Sequence, residues 1–172
     1  MKCLQTVASV VLLALCLHVA AAEIVNFQKC PGEVAEKCTV HQVSISPCPE
    51  AEQGNVCVLL TKSQVNLTFD FTPEFDAHNL TADVAWTRPK VDLPFVGLDK
   101  EACERTNCPV VSGNRQTYTY NLTIKKEYPP QAYDVKWKLT SENNDSCCFI
   151  VQINIAKKKK SAKGTQSDDD EE

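Results

Sequence analysis

The sequence lacks the features that mark most membrane, catalytic and helical proteins. Beyond residue 22 no apolar run approaches the roughly 20 residues that a transmembrane helix requires. No sustained helical period is present either, and residues 33–37 could form one turn at most. Only two of the three histidines, His41 and His78, lie beyond residue 22. With no recognisable nucleophile motif beside them, we expect no enzyme.

Basic charge is also scarce. Residues 23–156 carry 17 acidic and 12 basic side chains, a net charge of −5. An acidic chain repels phosphates, so we expect no nucleic-acid partner. Residues 157–172 run from four lysines to five acids without an apolar residue larger than alanine. They cannot bury enough surface to fold, and we predict a disordered charged tail.

The first 22 residues have the pattern of a secretory signal peptide. Lys2 supplies a positive start, residues 10–17 form a short apolar run, and Ala20–Ala22 provide a small-residue cleavage site. Cleavage after Ala22 leaves one domain, residues 23–156, and the tail. We therefore expect a protein that is secreted or that resides in the lysosomal lumen.

Cysteines and glycosylation sequons agree with export. Eight cysteines lie beyond the signal peptide, and an even number in an exported chain predicts up to four disulfides. These are Cys30, Cys38, Cys48, Cys57, Cys103, Cys108, Cys147 and Cys148. Sequons predict glycosylation at Asn66, Asn79, Asn121 and Asn144.

Apolar residues recur with a period of two, which is typical of strands with one buried face. The five clearest runs lie at residues 65–71, 80–86, 118–124, 133–139 and 149–155. Asn66 and Asn121 fall on the polar side of their runs, where a glycan is tolerated. A shorter predicted strand has His41, Val43 and Ile45 at alternate positions, which would place them on the same face.

About seven strands at this spacing predict an all-β, immunoglobulin-like β-sandwich of two antiparallel sheets. The pattern of two cysteines flanking a buried tryptophan is missing, so an antibody-type domain is not expected. Periodicity alone favours an ordinary filled core, because most inward positions hold large residues.

Several motifs, in order, resemble one family. They are Ser46-Pro47-Cys48-Pro49, Leu93-Pro94-Phe95 ahead of Cys103, Asn107-Cys108-Pro109, Tyr118-Thr119-Tyr120, Lys125-Lys126-Glu127-Tyr128-Pro129, Val135-Lys136-Trp137 and Val151-Gln152-Ile153. Together they resemble the Niemann–Pick type C2 proteins of the MD-2-related lipid-recognition (ML) domain family, from Glu23 to about Ala156.

The resemblance implies a lipid pocket between the two sheets, with no cofactor and no metal, and with a sterol as cargo. It places Phe95, Tyr128 and Pro129 at the pocket mouth. It places Leu93, Ile124, Val135 and Trp137 on the walls, and parity adds Val91, Leu67 and Phe69. A ligand-sized void of about 300 Å³ is then expected in place of a filled core.

The resemblance also implies disulfides. It pairs Cys48 with Cys57, Cys103 with Cys108, and Cys30 with either Cys147 or Cys148. Cys38 is additional to the family pattern. The simplest fourth disulfide joins it to whichever of Cys147 and Cys148 is not bonded to Cys30. Adjacent strand residues point to opposite faces, so Cys147 and Cys148 cannot both reach one site. Which of them pairs with Cys30 stays open.

The expected function is sterol carriage by a monomer that contacts membranes transiently and delivers to a membrane protein of Niemann–Pick type C1 character. One alternative is immune recognition of bacterial glycolipids, for which a cationic mouth would be suited. Arg88, Lys90, Lys125 and Lys126 lie near the mouth segments. A second alternative is an adhesion sandwich with a filled core, because fold does not decide function.

Overall fold

The computed structural model describes residues 23–32 and 37–158. The predicted signal peptide, most of the turn considered at residues 33–37, and residues 159–172 of the charged tail lie outside the described residues.

Ten strands form two facing sheets. They are β1 (Ile24–Val25), β2 (Phe27–Lys29), β3 (Cys38–Ser46), β4 (Cys57–Leu60), β5 (Gln64–Pro73), β6 (Leu80–Arg88), β7 (Val91–Pro94), β8 (Gln116–Thr123), β9 (Ala132–Ser141) and β10 (Ser146–Ala156). The first sheet has the order β1-β3-β5-β8, and the second has the order β2-β10-β9-β6-β7 with β4 beside β10. Every pairing is antiparallel except that of β4 with β10. The predicted all-β sandwich is confirmed.

The five long runs of alternating residues all form strands, and the main differences concern short or irregular ones. Strand β4 was not expected, because its four residues, Cys-Val-Leu-Leu, show no polar alternation. Strand β3 contains a bulge between Val40 and Gln42. The bulge inserts one residue and reverses the parity, so His41 is exposed, with its Nε2 2.7 Å from the Thr72 hydroxyl. The parity that aligned His41 with Val43 and Ile45 is therefore wrong.

The structure resolves the pairing of the adjacent cysteines. Cys38 bonds Cys147 and Cys30 bonds Cys148. Cys147 points into the core and connects β10 to β3 in the opposite sheet. Cys148, on the other face of β10, reaches the end of neighbouring β2. Opposite faces of one strand thus serve one bond between sheets and one bond within a sheet.

The two remaining disulfides lie elsewhere in the fold. Cys48 bonds Cys57, and Cys103 bonds Cys108. Cys48 follows β3 and Cys57 begins β4, so this bond also connects the two sheets. The other bond closes a short loop around the 3₁₀ turn Ala102–Glu104.

The core changes character along the strands, with aromatic rings at one end and aliphatic side chains at the other. Inward residues of β5 run from Val65 and Leu67 to Phe69 and Phe71. Strand β10 runs the other way across the interface, from Phe149 to Val151, Ile153 and Ile155. Phe69 meets Phe149 across the sheets, with ring centroids 4.8 Å apart. This gradient places flat rings near the bond between Cys38 and Cys147, and branched aliphatics at the far end.

Candidate functional site

A cavity of about 50 Å³ lies between the sheets at the aliphatic end. Its lining consists of Ile45, Leu59, Val65, Leu67, Val84, Phe95, Leu98, Leu122, Thr123, Ile124, Tyr128, Val135, Trp137, Val151, Ile153 and Ile155. Apart from the hydroxyls of Thr123 and Tyr128 and the indole N–H of Trp137, these side chains are hydrocarbon. The cavity is much smaller than the expected void of about 300 Å³, because buried aliphatic side chains from both sheets fill most of the space between them.

Aromatic rings close the inner end of the cavity. Phe69 stacks on Tyr118 with centroids 5.0 Å apart, and Tyr118 meets the edge of Trp137 at 6.1 Å. The Tyr118 hydroxyl is buried and has no hydrogen-bond partner among the described residues. Burial in these apolar surroundings raises the pKa of this phenol far above its ordinary value. The cavity therefore ends on a neutral aromatic floor.

Two loops form the mouth. One is the mouth loop, residues 95–98, which follows β7. The other leads from β8 to β9 and carries Tyr128. The rings of Phe95 and Tyr128 meet edge to face across the opening, with centroids 5.2 Å apart. Burial, and then the neighbouring charge of Glu127, raises the pKa of the Tyr128 phenol. The mouth is thus closed by one ring pair, and its phenol stays neutral at neutral pH.

Outside the mouth lies an open apolar groove of about 600 Å³. It is lined by Trp86, Leu93, Pro94, Phe95, Val96, Lys125, Glu127, Tyr128, Pro129 and Tyr133. Beside it the short edge strand β7 and the mouth loop expose large apolar side chains: Val91 is 54 % and Leu93 40 % exposed on β7, and Val96 is 78 % exposed in the loop. Phe95 and Tyr128 line both cavity and groove, so the groove is continuous with the closed mouth.

The structure brings together most, but not all, of the residues expected to contact lipid. Six of them line the cavity: Leu67, Phe95, Ile124, Tyr128, Val135 and Trp137. Leu93 and Pro129 line the outer groove instead. Phe69 lies in the aromatic floor, and Val91 faces solvent on β7. Parity places a residue on the inner face of a sheet, but it does not say where along the strand the cavity lies.

Several lining residues were missed. Seven of them are inward residues of alternating strands, so the alternation of apolar and polar residues could have identified them. They are Ile45, Val65, Val84, Leu122, Val151, Ile153 and Ile155. Leu59 lies on β4, which pairs in parallel with β10. The four residues of β4 are all apolar, so its sequence does not alternate between apolar and polar residues. Leu98 lies in the mouth loop. Neither Leu59 nor Leu98 carries a periodic signal, and only tertiary packing brings them to the cavity.

The four sequon asparagines lie at the surface. Asn79, Asn121 and Asn144 are exposed, and Asn66 is half-buried. Asn66 is opposite Asn121 on neighbouring strands, and its Nδ2 donates to the Asn121 Oδ1 at 2.6 Å. All four are outside the core, as a glycan acceptor must be.

Two further properties concern metal and membrane. In residues 23–32 and 37–158, no group of three or more His, Cys, Asp or Glu side chains is placed to hold a metal ion. Nor does this part of the chain contain a helix with the length and apolar character that crossing a membrane needs.

Comparison with known proteins finds related sequences along almost the whole described chain. The profile of the ML domain matches residues 24–155. An MD-2-related lipid-recognition protein of Manduca sexta is 31 % identical over 140 residues, which cover 80 % of this chain and 89 % of that protein. NPC intracellular cholesterol transporter 2 of Bos taurus is 27 % identical over 138 residues, covering 79 % and 88 %.

A solved structure shares the fold. The crystal structure of a Niemann-Pick type C2 protein from the Japanese carpenter ant superposes with a TM-score of 0.67 at 20 % identity. The match covers 76 % of this chain and 99 % of that one. It shows that the two proteins share the two-sheet fold.

Proposed function

Because this chain belongs to the ML-domain family, a family of lipid-binding proteins, we propose that it binds a sterol in the cavity between its sheets and carries it between membranes. The cavity lining, almost wholly hydrocarbon, carries the proposal. A sterol is rigid and largely apolar, so it loses little entropy on binding while its buried surface drives association. The cholesterol-transporter name of the bovine relative agrees with this cargo.

Sterol entry requires the aliphatic end to expand, because a cavity of about 50 Å³ is well below the 300 Å³ or more of typical ligand sites. The bond between Cys38 and Cys147 holds the sheets together at the aromatic end. Between the two ends, Phe69 and Phe149 pack across the sheets. The bond between Cys48 and Cys57 also connects the sheets, beside the cavity residues Ile45 and Ile153. We therefore expect expansion to take place at the loops of the mouth, not by separation of the whole aliphatic end.

The outer groove supports transfer by membrane contact. Val91, Leu93 and Val96 form an exposed apolar rim beside the mouth, and such surfaces mark interaction sites. A sterol leaving between Phe95 and Tyr128 would then pass directly into lipid. Delivery to a membrane protein of the Niemann–Pick type C1 kind would use the same rim.

Phe95→Ala tests the mouth. Removing the ring eliminates the contact with Tyr128 and leaves the cavity open to water. We expect the sterol dissociation constant to rise about tenfold, which corresponds to about 1.4 kcal/mol, mainly through faster dissociation. Stopped-flow release of a fluorescent sterol measures this rate. Unchanged binding together with unchanged transfer between vesicles would show that Phe95 is not a gate.

Val91→Asp tests the apolar rim separately from the cavity. Val91 lies outside the cavity lining, so the sterol dissociation constant should not change. Transfer from vesicles should slow about tenfold, because a carboxylate replaces an apolar side chain at the membrane surface. Val111→Asp is the matched control, since Val111 is a similarly exposed valine (47 %) on a loop that lines neither the cavity nor the groove. Equal transfer rates for the two variants would place membrane contact elsewhere.

Other features of the proposal follow from the compartment. Four disulfides suit an oxidising environment, so we propose that the protein acts outside cells or in the lysosomal lumen. Its sequons would then carry glycans in part or in full. We propose that it acts as a monomeric carrier without a cofactor and without catalysis.

A second candidate cargo is a bacterial glycolipid or another acyl lipid. The lysine at the mouth, Lys125, favours it, because acyl lipids present an anionic head group where a sterol has one hydroxyl. Titration of delipidated protein with a fluorescent sterol, with fatty acid and bacterial glycolipid as competitors, separates the two. Saturable sterol binding at one site supports the proposal. Glycolipid uptake without sterol binding would replace it.

A further inference from the structure

The mouth loop places a side chain in the space that a sterol needs. Leu98 lines the cavity, and it packs against the core although it belongs to no strand. The cavity of about 50 Å³ therefore enlarges when residues 96–98 move outward and take Leu98 with them. The contacts that hold this part of the loop inward then determine how readily cargo enters.

Both ends of the mouth loop are bonded to the sheets. At its start, the Phe95 N–H donates to the Val84 carbonyl of β6 at 3.0 Å. Just beyond its end, the Asp99 N–H donates to the Tyr120 hydroxyl of β8 at 3.0 Å. The Asp99 carboxylate also accepts from the Arg105 guanidinium at 2.9 Å. These bonds fix the backbone at Phe95 and at Asp99, so movement of the loop is confined to the residues between them.

Between these two fixed points a lysine side chain holds the loop. The Lys125 Nζ donates to the Val96 carbonyl oxygen at 2.8 Å. Gly97 allows this approach, because its φ is +81° and a Cβ there would lie 2.9 Å from the Lys125 Nζ. A larger residue would be strained by the backbone conformation and would displace the ammonium. Lys125 follows the cavity residue Ile124, so its bond joins the loop to the wall of the cavity.

The bond from Lys125 is strong enough to bias the loop and weak enough to break. Lys125 and Val96 are both exposed, so water can replace either partner when they separate. The Val96 side chain is 78 % exposed, and outward movement of this residue therefore gives up little buried apolar surface. One hydrogen bond of this kind shifts an equilibrium between two loop positions about fivefold.

We propose that Lys125 is a positioning residue, which holds residues 96–98 and the Leu98 side chain over the cavity while the protein is empty. The inference rests on the proposed lipid-binding function and deepens it. Cargo binds the molecules in which the bond from Lys125 to Val96 is broken, and the observed affinity is reduced to the extent that these molecules are a minority. Removing the ammonium increases their fraction, and with it the affinity for a neutral sterol.

Stopped-flow association of a fluorescent sterol with the delipidated, secreted protein tests this role, together with an equilibrium titration. Lys125→Ala should bind the sterol about fivefold faster and about fivefold more tightly, because binding no longer requires the bond to Val96 to break. The dissociation rate should change little, since that bond is already broken in the loaded protein. Lys125→Arg should behave like wild type, because a guanidinium also donates to a carbonyl.

Lys126→Ala is the matched control. Lys126 is the adjacent exposed lysine, Glu127 lies 3.8 Å from its Nζ, and it lines neither the cavity nor the groove. Both the association rate and the dissociation constant should therefore be those of wild type.

Leu98→Ala determines whether Lys125 acts through the Leu98 side chain. In this variant the side chain that the bond keeps in the cavity is already absent. Adding Lys125→Ala should then change the dissociation constant by less than about twofold, because the two residues act on one step. Thermal unfolding of each variant shows that folded proteins are being compared.

Weaker or slower sterol binding by Lys125→Ala would mean that the lysine contacts cargo, and the proposed role would be wrong. Unchanged binding would overturn it as well, and so would a gain in affinity that persists at full size in the Leu98→Ala background. If wild type binds no sterol, the proposed carrier function itself fails, and this result is distinct from the other three.

Discussion

Replacing both long-range disulfides is expected to destabilise the fold by about 7 kcal/mol, whereas replacing either one alone costs about 2–3 kcal/mol. The bonds from Cys30 to Cys148 and from Cys38 to Cys147 span 118 and 109 residues. They are nested, so with one present the other closes only the nine residues by which the spans differ. Only the second removal frees the long loop in the unfolded chain. A loss of this size is comparable to the whole stability of many domains.

Guanidinium unfolding followed by tryptophan fluorescence measures the effect in Cys38→Ala/Cys147→Ala, Cys30→Ala/Cys148→Ala and the fourfold variant. The bond between Cys103 and Cys108 is the control: its separation of 5 residues lies inside both long spans and hardly changes their length, so its removal should add to either single loss. If the two single losses simply sum to the loss in the fourfold variant, the nested-loop explanation is wrong.

Val135→Phe is expected to weaken sterol binding about 100-fold, which corresponds to about 2.7 kcal/mol. Val135 is buried on β9 and faces the cavity across from Ile45 and Leu67 of the other sheet. A phenyl ring there occupies the space into which a sterol must fit. Overpacking costs stability, typically about 1–3 kcal/mol, so the variant should remain folded in buffer. Titration with a fluorescent sterol, alongside thermal unfolding, measures both effects.

Asp134→Phe is the matched control for this substitution. It adds the same ring one residue earlier on β9, on the outer face, where Asp134 is exposed and accepts a hydrogen bond from Gln152. Sterol affinity should remain within a factor of two. A folded Val135→Phe variant that still binds sterol like wild type would mean that the cargo lies outside the cavity between the sheets.

The prediction for Val135 depends on the division of the core into two ends. The aromatic end holds Phe69, Phe71, Tyr118 and Phe149, and the disulfide from Cys38 to Cys147 lies there. Flat rings that interlock across the sheets resist separation, because each displacement breaks many close contacts. The aliphatic end has the cavity and the mouth. The aromatic end is therefore rigid, and at the aliphatic end, where the bond between Cys48 and Cys57 also joins the sheets, the loops of the mouth are the part available to open.

Much of this architecture was readable from local sequence. Residues 65–71 alternate so regularly that β5 and its buried face follow directly, and the same holds for β9 and β10. The even cysteine count indicated four disulfides, and the motifs around Phe95 and Tyr128 indicated the mouth. The strand predictions succeed because side-chain alternation in a strand is set by backbone geometry, whatever the partner.

Other features depended on packing that no local pattern encodes. The bulge in β3 turns His41 outward although its parity predicted the opposite. Strand β4 forms because Cys57–Leu60 pair with residues 153–156 of β10, beyond the part of that edge that β2 occupies. The cavity includes Leu67 but not Phe69, which lies two residues later on the same face of β5. The reason is that Phe149 of the opposite sheet packs against Phe69, whereas space remains beside Leu67.

The sequence by itself thus determined the five long strands, their buried faces, the disulfide count and the family, since each depends on residue type and spacing along the chain. The tertiary structure decided which of Cys147 and Cys148 reaches Cys30, where along the sandwich the cavity lies, and that Lys125 meets the Val96 carbonyl. The physical reason is that these features join segments far apart in the chain, and such contacts exist only after the two sheets have packed face to face.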